Sequence, residues 1–238
     1  MVLYQIDFGR ILQVFVVQGI IAIFFIYLIF QILKRNRKKI NVLFALSYVF
    51  VLIGLVNNMI YAFIRDSDVL VAMNFITNFS ITFALIFLMI FNLILLYSEK
   101  KITTPKQTII ILLYGGILFL QILFLPYNGI IVNEETNWRS LWSLPYYLYI
   151  ILVISVGAVI PTIYLSVRIY FDMEDEALQK RWLYFIIGAI GLFIYMYGIF
   201  TTDLFVNQLF RLIWTLISLS IVIWVYLMYY GVGRELES

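Results

Sequence analysis

Four asparagines set among apolar residues are the side chains of this sequence best suited to recognition chemistry. Asn57 and Asn58 interrupt "VFVLIGLVNNMIYAFIRD", and Asn74 and Asn78 interrupt "MNFITNFS". A side-chain amide donates and accepts hydrogen bonds, so a cluster of them can hold a ligand reversibly. Its plainer use is packing, because amides also bond helices to one another, at about 0.6 kcal/mol per bond on average. A second group follows near the carboxyl end. Asp203, Asn207 and Arg211 recur every four residues, which on one continuous helix makes a stripe that Trp214 and Thr215 extend. An arginine there either marks a ligand site or snorkels to the membrane edge beside Asp203.

Other chemistries lack their residues. Histidine and cysteine are both absent. No disulfide, thiolate or histidine metal site, haem or iron–sulfur cluster can be built from them, and neither can a Ser-His or Cys-His pair. The expectation is therefore no enzyme activity, no metal and no cofactor. A retinal Schiff base needs a lysine in the last helix, and the run Gln208–Tyr230 has none. The thirteen acids sit in loops or at the ends of apolar runs, not deep inside them as an ion pump would require.

Composition indicates what must position these residues. Of 238 residues, 64% are hydrophobic and 12% charged, where a soluble domain is about half apolar and about a quarter charged. Seven apolar runs are long enough to cross a bilayer: Ile11–Leu33, Asn41–Ile64, Leu70–Tyr97, Thr108–Leu125, Tyr146–Tyr170, Trp182–Phe200 and Gln208–Tyr230. They predict a single all-α domain over 1–238, a seven-helix transmembrane bundle. Pro161 predicts a kink in the fifth helix. Trp138 and Trp142, in the longest loop, suit the headgroup layer. The start, "MVLYQIDFGR", carries an Asp and no lysine, so it lacks the basic start of a cleavable signal and is expected to be retained.

The loops predict orientation. Alternating passes put twelve basic residues on one side, led by Lys34, Arg35, Arg37, Lys38 and Lys39, against Arg10, Arg65, Arg139 and Arg211 on the other. Basic loops stay in the cytoplasm, so the amino terminus is expected outside and the carboxyl terminus inside. A multi-pass protein of the plasma membrane follows, with the bilayer as its first partner and no feature suited to nucleic acid.

In that frame the amides lie at one level. At 1.5 Å per residue, Asn57 and Asn58 are about 10 Å below the outer surface, with Asn74 and Asn78 about 6 to 12 Å down a neighbouring antiparallel helix. Gln18, Gln121, Asp203, Asn207 and Arg211 fall near the same depth. Tyr195 lies on a face with Gly188, Gly191 and Gly198, followed by Trp214 on the next helix. Asn57, Asn58, Asn74, Asn78, Gln121, Tyr195, Asp203, Asn207, Arg211 and Trp214 are thus the candidate lining of an outward-facing cavity. The inner half holds less polarity, mainly Asn92, Thr162 and Ser166.

At the cytoplasmic face, the acids Asp172, Glu174, Asp175 and Glu176 precede Lys180 and Arg181, as at a helix start that complements its dipole. With Lys34, Arg35, Arg37, Lys38 and Lys39 they form a candidate docking surface for a signalling partner. Seven helices, a basic first cytoplasmic loop and the segment "DEALQKRWLYFIIGAIG" leading into the sixth helix resemble the seven-transmembrane sensor region found at the amino terminus of some prokaryotic histidine kinases. The resemblance implies a sensor. Those proteins continue into a kinase, whereas only "GVGRELES" follows the last run here, so output through a separate cytoplasmic partner is expected. The function expected is a receptor or sensor-like protein, with a homo-oligomer allowed. The alternative is a small transporter or an accessory subunit of a membrane complex.

Two outcomes follow. A reporter fused after Ser238 should be cytoplasmic and a tag before Met1 external; both on one side would mean a wrong helix count. Protein expressed with retinal should show no visible absorption band, and a borohydride-trapped lysine adduct would contradict this.

Overall fold

The computed structural model describes residues 11–35, 37–205 and 207–232. Arg10 and Arg234, which entered the charge bias, lie outside them. Seven long helices make the fold: α1 (Leu12–Arg35), α2 (Lys39–Tyr61), α3 (Ser67–Tyr97), α4 (Thr104–Tyr127), α5 (Leu144–Asp172), α6 (Glu176–Leu204) and α7 (Leu209–Val232). Each is long and apolar enough to cross a membrane. Large apolar side chains also stand exposed around the bundle, among them Ile23, Leu112, Leu152 and Ile194. In water such a surface would be a liability, whereas in lipid it is the ordinary outer face. The chain is a multi-pass integral membrane protein.

The most enclosed helix is α3 and the least is α4. On α3 every residue from Ala84 to Asn92 is buried. Its Phe75, Phe79, Phe83 and Phe87 are four apart, so they stack along one face and meet Phe50 of α2 and Phe119 of α4. At the other end of the bundle Phe44, Phe91 and Phe185 cluster, with Trp182 stacked on Phe185 at 4.4 Å.

Local chemistry explains the departures from regular helix. Pro161 has no N–H to give and would clash with the turn before it. A wider π turn at Ser155–Val159, just before the proline, accommodates this. Helix α4 starts with Pro105 in its first turn and tightens into a 3-10 segment at Leu120–Tyr127 that contains Pro126. As expected, α6 extends beyond its apolar run, and Asp175 caps it by accepting from the N–H groups of Ala177 and Leu178.

One expected element does not exist. Asp203, Asn207 and Arg211 do not share a helix. Helix α6 ends at Leu204, Phe205 is extended, and Asn207 caps the next helix by accepting from Phe210 N–H. The spacing of four is therefore a coincidence of sequence, and the residues are gathered by a chain reversal. Ser, Thr, Asn and Asp compete for local backbone bonds in this way, which periodicity alone does not detect.

The longest connection folds into a two-stranded antiparallel hairpin, β1 (Ile130–Ile131) with β2 (Leu141–Trp142). Ile130, Val132 and Trp142 are buried, so the hairpin is inserted into the bundle end. Trp142 is 2% exposed. That corrects its expected place in the headgroup layer: its indole packs on Tyr146 and Phe200 and donates to Asn74 Oδ1 at 3.3 Å. Asn133 and Thr136 bond reciprocally to close the hairpin tip.

Glycines let α6 and α7 approach. A Cβ on Gly188 would run into the Trp224 carbonyl and Met228, and one on Gly231 would lie 2.6 Å from Phe185 N. Gly191 and Gly198 face the rings of Trp224 and Trp214. Around Gly116 there is open space. Replacing Gly188 by Ala should lower stability by about 1–3 kcal/mol through overpacking. Gly116→Ala should be neutral or stabilising by up to about 1 kcal/mol. Thermal unfolding of the two variants in the same detergent checks this, and equal midpoints would contradict it.

Candidate functional site

A cavity of about 170 Å³ lies among α1, α2, α3, α6 and α7, beneath the hairpin. A single water needs roughly 10–15 Å³ on this measure, so there is room for on the order of ten non-hydrogen atoms. Its wall changes character with depth. Near the hairpin the polar groups are concentrated, among apolar neighbours such as Val14 and Phe200: Gln13 and Gln18 from α1, Asn58 and Tyr61 from α2, Asn74, Thr77 and Asn78 from α3, and Thr202 and Asp203 from α6. Deeper, Val51, Leu85, Leu192 and Ile221 make an apolar floor. From Asn74 to Leu85 along α3 is about 16 Å at the helical rise.

The amides divide into two kinds. Asn57 faces α3, donating from Nδ2 to the Met73 carbonyl and to Thr77 Oγ1, both at 2.8 Å. It is a tie between helices and does not line the cavity. Its neighbour Asn58 points to the other side and donates to Gln18 Oε1 at 2.9 Å across the cavity wall. Asn78 donates to Asn74 Oδ1 at 2.7 Å, and Asn74 donates toward the Tyr61 hydroxyl at 3.4 Å. Both are nearly buried, yet both border the cavity. Packing and lining are therefore served by the same cluster, with adjacent residues taking different parts because consecutive side chains on a helix diverge by about 100°.

The charged pair is arranged by the hairpin. Ser140 donates from Oγ to Asp203 Oδ1 at 2.7 Å, while its carbonyl accepts from Arg211 Nη2 at 2.9 Å. Arg211 Nε also donates to the Thr202 carbonyl at 3.0 Å. Asp203 and Arg211 make no direct ion pair with each other, whereas Lys39 and Glu99 do, at 3.6 Å. Opposite charges thus border one cavity, each bonded to the same hairpin residue.

Of the sequence candidates, Asn58, Asn74, Asn78, Tyr195, Asp203 and Arg211 are brought together. Four others stand apart. Gln121 is fully buried with its Oε1 accepting from the Tyr146 hydroxyl. Asn207 is a helix cap. Trp214 packs against Gly198. Asn57 is the interhelical tie described above. The residues that sequence reasoning missed come from the hairpin: Trp138, Arg139 and Ser140 all border the cavity. Trp138 has a positive φ of 56°, rare for a bulky residue, and its buried Nε1 has no hydrogen-bond partner. The Arg65 guanidinium lies 5.6 Å from its ring centroid. The one available signal was the aromatic and polar content of "NWRSLW" between two prolines.

At the opposite end Asn92 donates to the Leu88 carbonyl and accepts from Ser166 Oγ, and Trp182 donates to the Ser166 carbonyl. This knot ties α3, α5 and α6. The basic residues collect at the same end. Lys34, Arg35, Arg37 and Lys38 are exposed, as are Asp172, Glu174 and Lys180, while Arg181 is half-buried. Lys39 donates to Thr104 Oγ1 as well as pairing with Glu99, and Arg35 lies over the Tyr229 ring.

No protein-family model matches the chain, and no curated protein or solved structure shows significant similarity to it.

Ser140→Ala removes the donor to Asp203 and should destabilise the protein by about 1–3 kcal/mol. Asn57→Leu removes two interhelical bonds and should cost about 0.6–1.7 kcal/mol for each. Unfolding in mixed micelles measures both, and an unchanged midpoint for Ser140→Ala would show that the hairpin is not anchored there.

Proposed function

We propose that the chain is a receptor or sensor-like membrane protein that binds a small ligand in the hairpin-covered cavity and signals through a separate cytoplasmic partner, without enzymatic activity. The observation that carries this reading is the wall itself. Five helices and the hairpin converge on one cavity whose mouth holds amides, one carboxylate, Asp203, and two guanidinium groups, Arg139 and Arg211. Packing alone does not need a carboxylate and guanidinium groups beside a space for about ten atoms. A ligand bonded to α2, α3, α6 and the hairpin together would stabilise one packing of the bundle over another, which is what a signal requires. The tight α6–α7 contact would carry that shift, and the basic end with Lys34, Arg37, Lys180 and Arg181 would present it. The layout and the "DEALQKRWLYFIIGAIG" segment support the likeness to kinase-linked sensor regions. In this reading the cavity opens outward and the carboxyl terminus faces the cytoplasm of a cell bounded by its plasma membrane.

Transport is the second reading, supported by the apolar-to-polar gradient along the cavity. It needs a path to the other end, where the Asn92–Ser166–Trp182 knot closes the bundle.

The absence of native cysteine gives a direct test. Asn58→Cys and Asn78→Cys should react with a membrane-impermeant maleimide added from outside. Asn57→Cys and Asn92→Cys should be protected. Equal protection of all four would remove the cavity as a ligand site and leave the amides as packing.

A further inference from the structure

Resting on the cavity reading, we infer that the ligand is a zwitterion, one small molecule with an ammonium and an anionic group on the same head and a short apolar tail. Three observations converge on it.

The first is the set of charges at the mouth: Asp203 and Arg211 act on each other through space without forming a direct ion pair, and a second guanidinium, Arg139, borders the same cavity. Asp203 and Arg211 border the same space, yet each is bonded to Ser140 and not to the other. Only one carboxylate oxygen of Asp203 receives that hydrogen bond, and two nitrogens of Arg211 are used. A simple anion would meet Asp203 at the mouth, and a simple cation would meet Arg211. A head bearing both signs sets its ammonium against Asp203 and its anionic group on the guanidinium side of the wall, with bonds to charged groups stronger than neutral ones. Such a head would add to the partial compensation that Ser140 and their mutual attraction already give the two charges.

The second is the gradient beneath them. Tyr195 and the amides give way to Leu85, Leu192 and Ile221, which cannot satisfy a second polar group. The tail is therefore apolar. The third is size. Space for on the order of ten non-hydrogen atoms fits a head with four to six carbons and excludes a whole lipid chain within the cavity. The unpartnered Trp138 indole N–H adds a donor at the mouth, suited to the anionic half of the head.

The head could come from a free solute or from a lipid headgroup reaching in from the bilayer, and the test separates the two. The full chain is reconstituted in nanodiscs of phosphatidylglycerol, which carries no ammonium. Its thermal midpoint is measured with leucine, isocaproate, isoamylamine and isocaproamide, which have related branched tails and differ in head charge. Leucine should raise the midpoint by roughly 5–10 °C at a hundredfold excess over its Kd, well beyond the other three. Asp203→Asn should bring isocaproate level with leucine, and Arg211→Gln should do so for isoamylamine. If instead phosphatidylethanolamine discs stabilise the protein and leucine adds nothing, the zwitterion is a lipid head. Equal stabilisation by isocaproate, isoamylamine or isocaproamide in the unaltered protein overturns the inference, and so does no stabilisation by leucine or phosphatidylethanolamine. The ranking in the unaltered protein decides the matter even if a variant fails to fold. Maleimide labelling of Asn58→Cys in the same discs tells a wrong ligand class from a wrong cavity, since it stays positive in the first case only.

Discussion

Ser140 bonds to two opposite charges that do not pair with each other. Its hydroxyl donates to Asp203 and its carbonyl accepts from Arg211. In a low-dielectric setting the two charges would attract strongly if they met. They instead belong to different helices, α6, which ends at Leu204, and α7, which Asn207 caps. The hairpin thus takes part in joining these helices, and the cavity mouth owes its polarity to that arrangement.

The rest of the bundle makes the arrangement affordable. The interior of a membrane protein gains little from hydrophobic burial between helices, because lipid tails are as apolar as its side chains. Association rests on packing and hydrogen bonds. Both are present: glycines bring α6 onto α7, phenylalanines stack along α3, and Asn57 ties α2 to α3. The Asn92–Ser166–Trp182 knot does the same at the basic end. With these contacts holding the helices, the hairpin end is free to keep a cavity that packing has not filled. Trp142 anchors the hairpin between α3 and α6 by bonding Asn74 and packing on Phe200.

Much of this was legible in the sequence, for reasons that can be named. Long apolar runs dictate helices because a backbone in lipid must satisfy its own polar groups. That Asn58, Asn74 and Asn78 share one level of the bundle follows from helical rise and antiparallel packing alone. Rotation about the helix axis did not: nothing in "NN" reveals that Asn57 turns toward α3 while Asn58 turns toward the cavity. The Asp203–Asn207–Arg211 spacing misled because it imitates a helical stripe across a helix end. The hairpin was the least legible element. Its strands are two residues each, and Trp142 is buried by tertiary contacts that override the interfacial preference of tryptophan. As a result Ser140, which bonds to both charges, was invisible to periodicity.

The most direct measurement is a pair of double-mutant cycles on reversible unfolding in mixed micelles. One combines Ser140→Ala with Asp203→Asn, and the other Asp203→Asn with Arg211→Gln. If the hairpin holds the charges apart, the first cycle should show a coupling of about 0.5–3 kcal/mol, larger than the second. Additivity in the first cycle with strong coupling in the second would mean that the two charges neutralise each other directly and that the hairpin only lies above them.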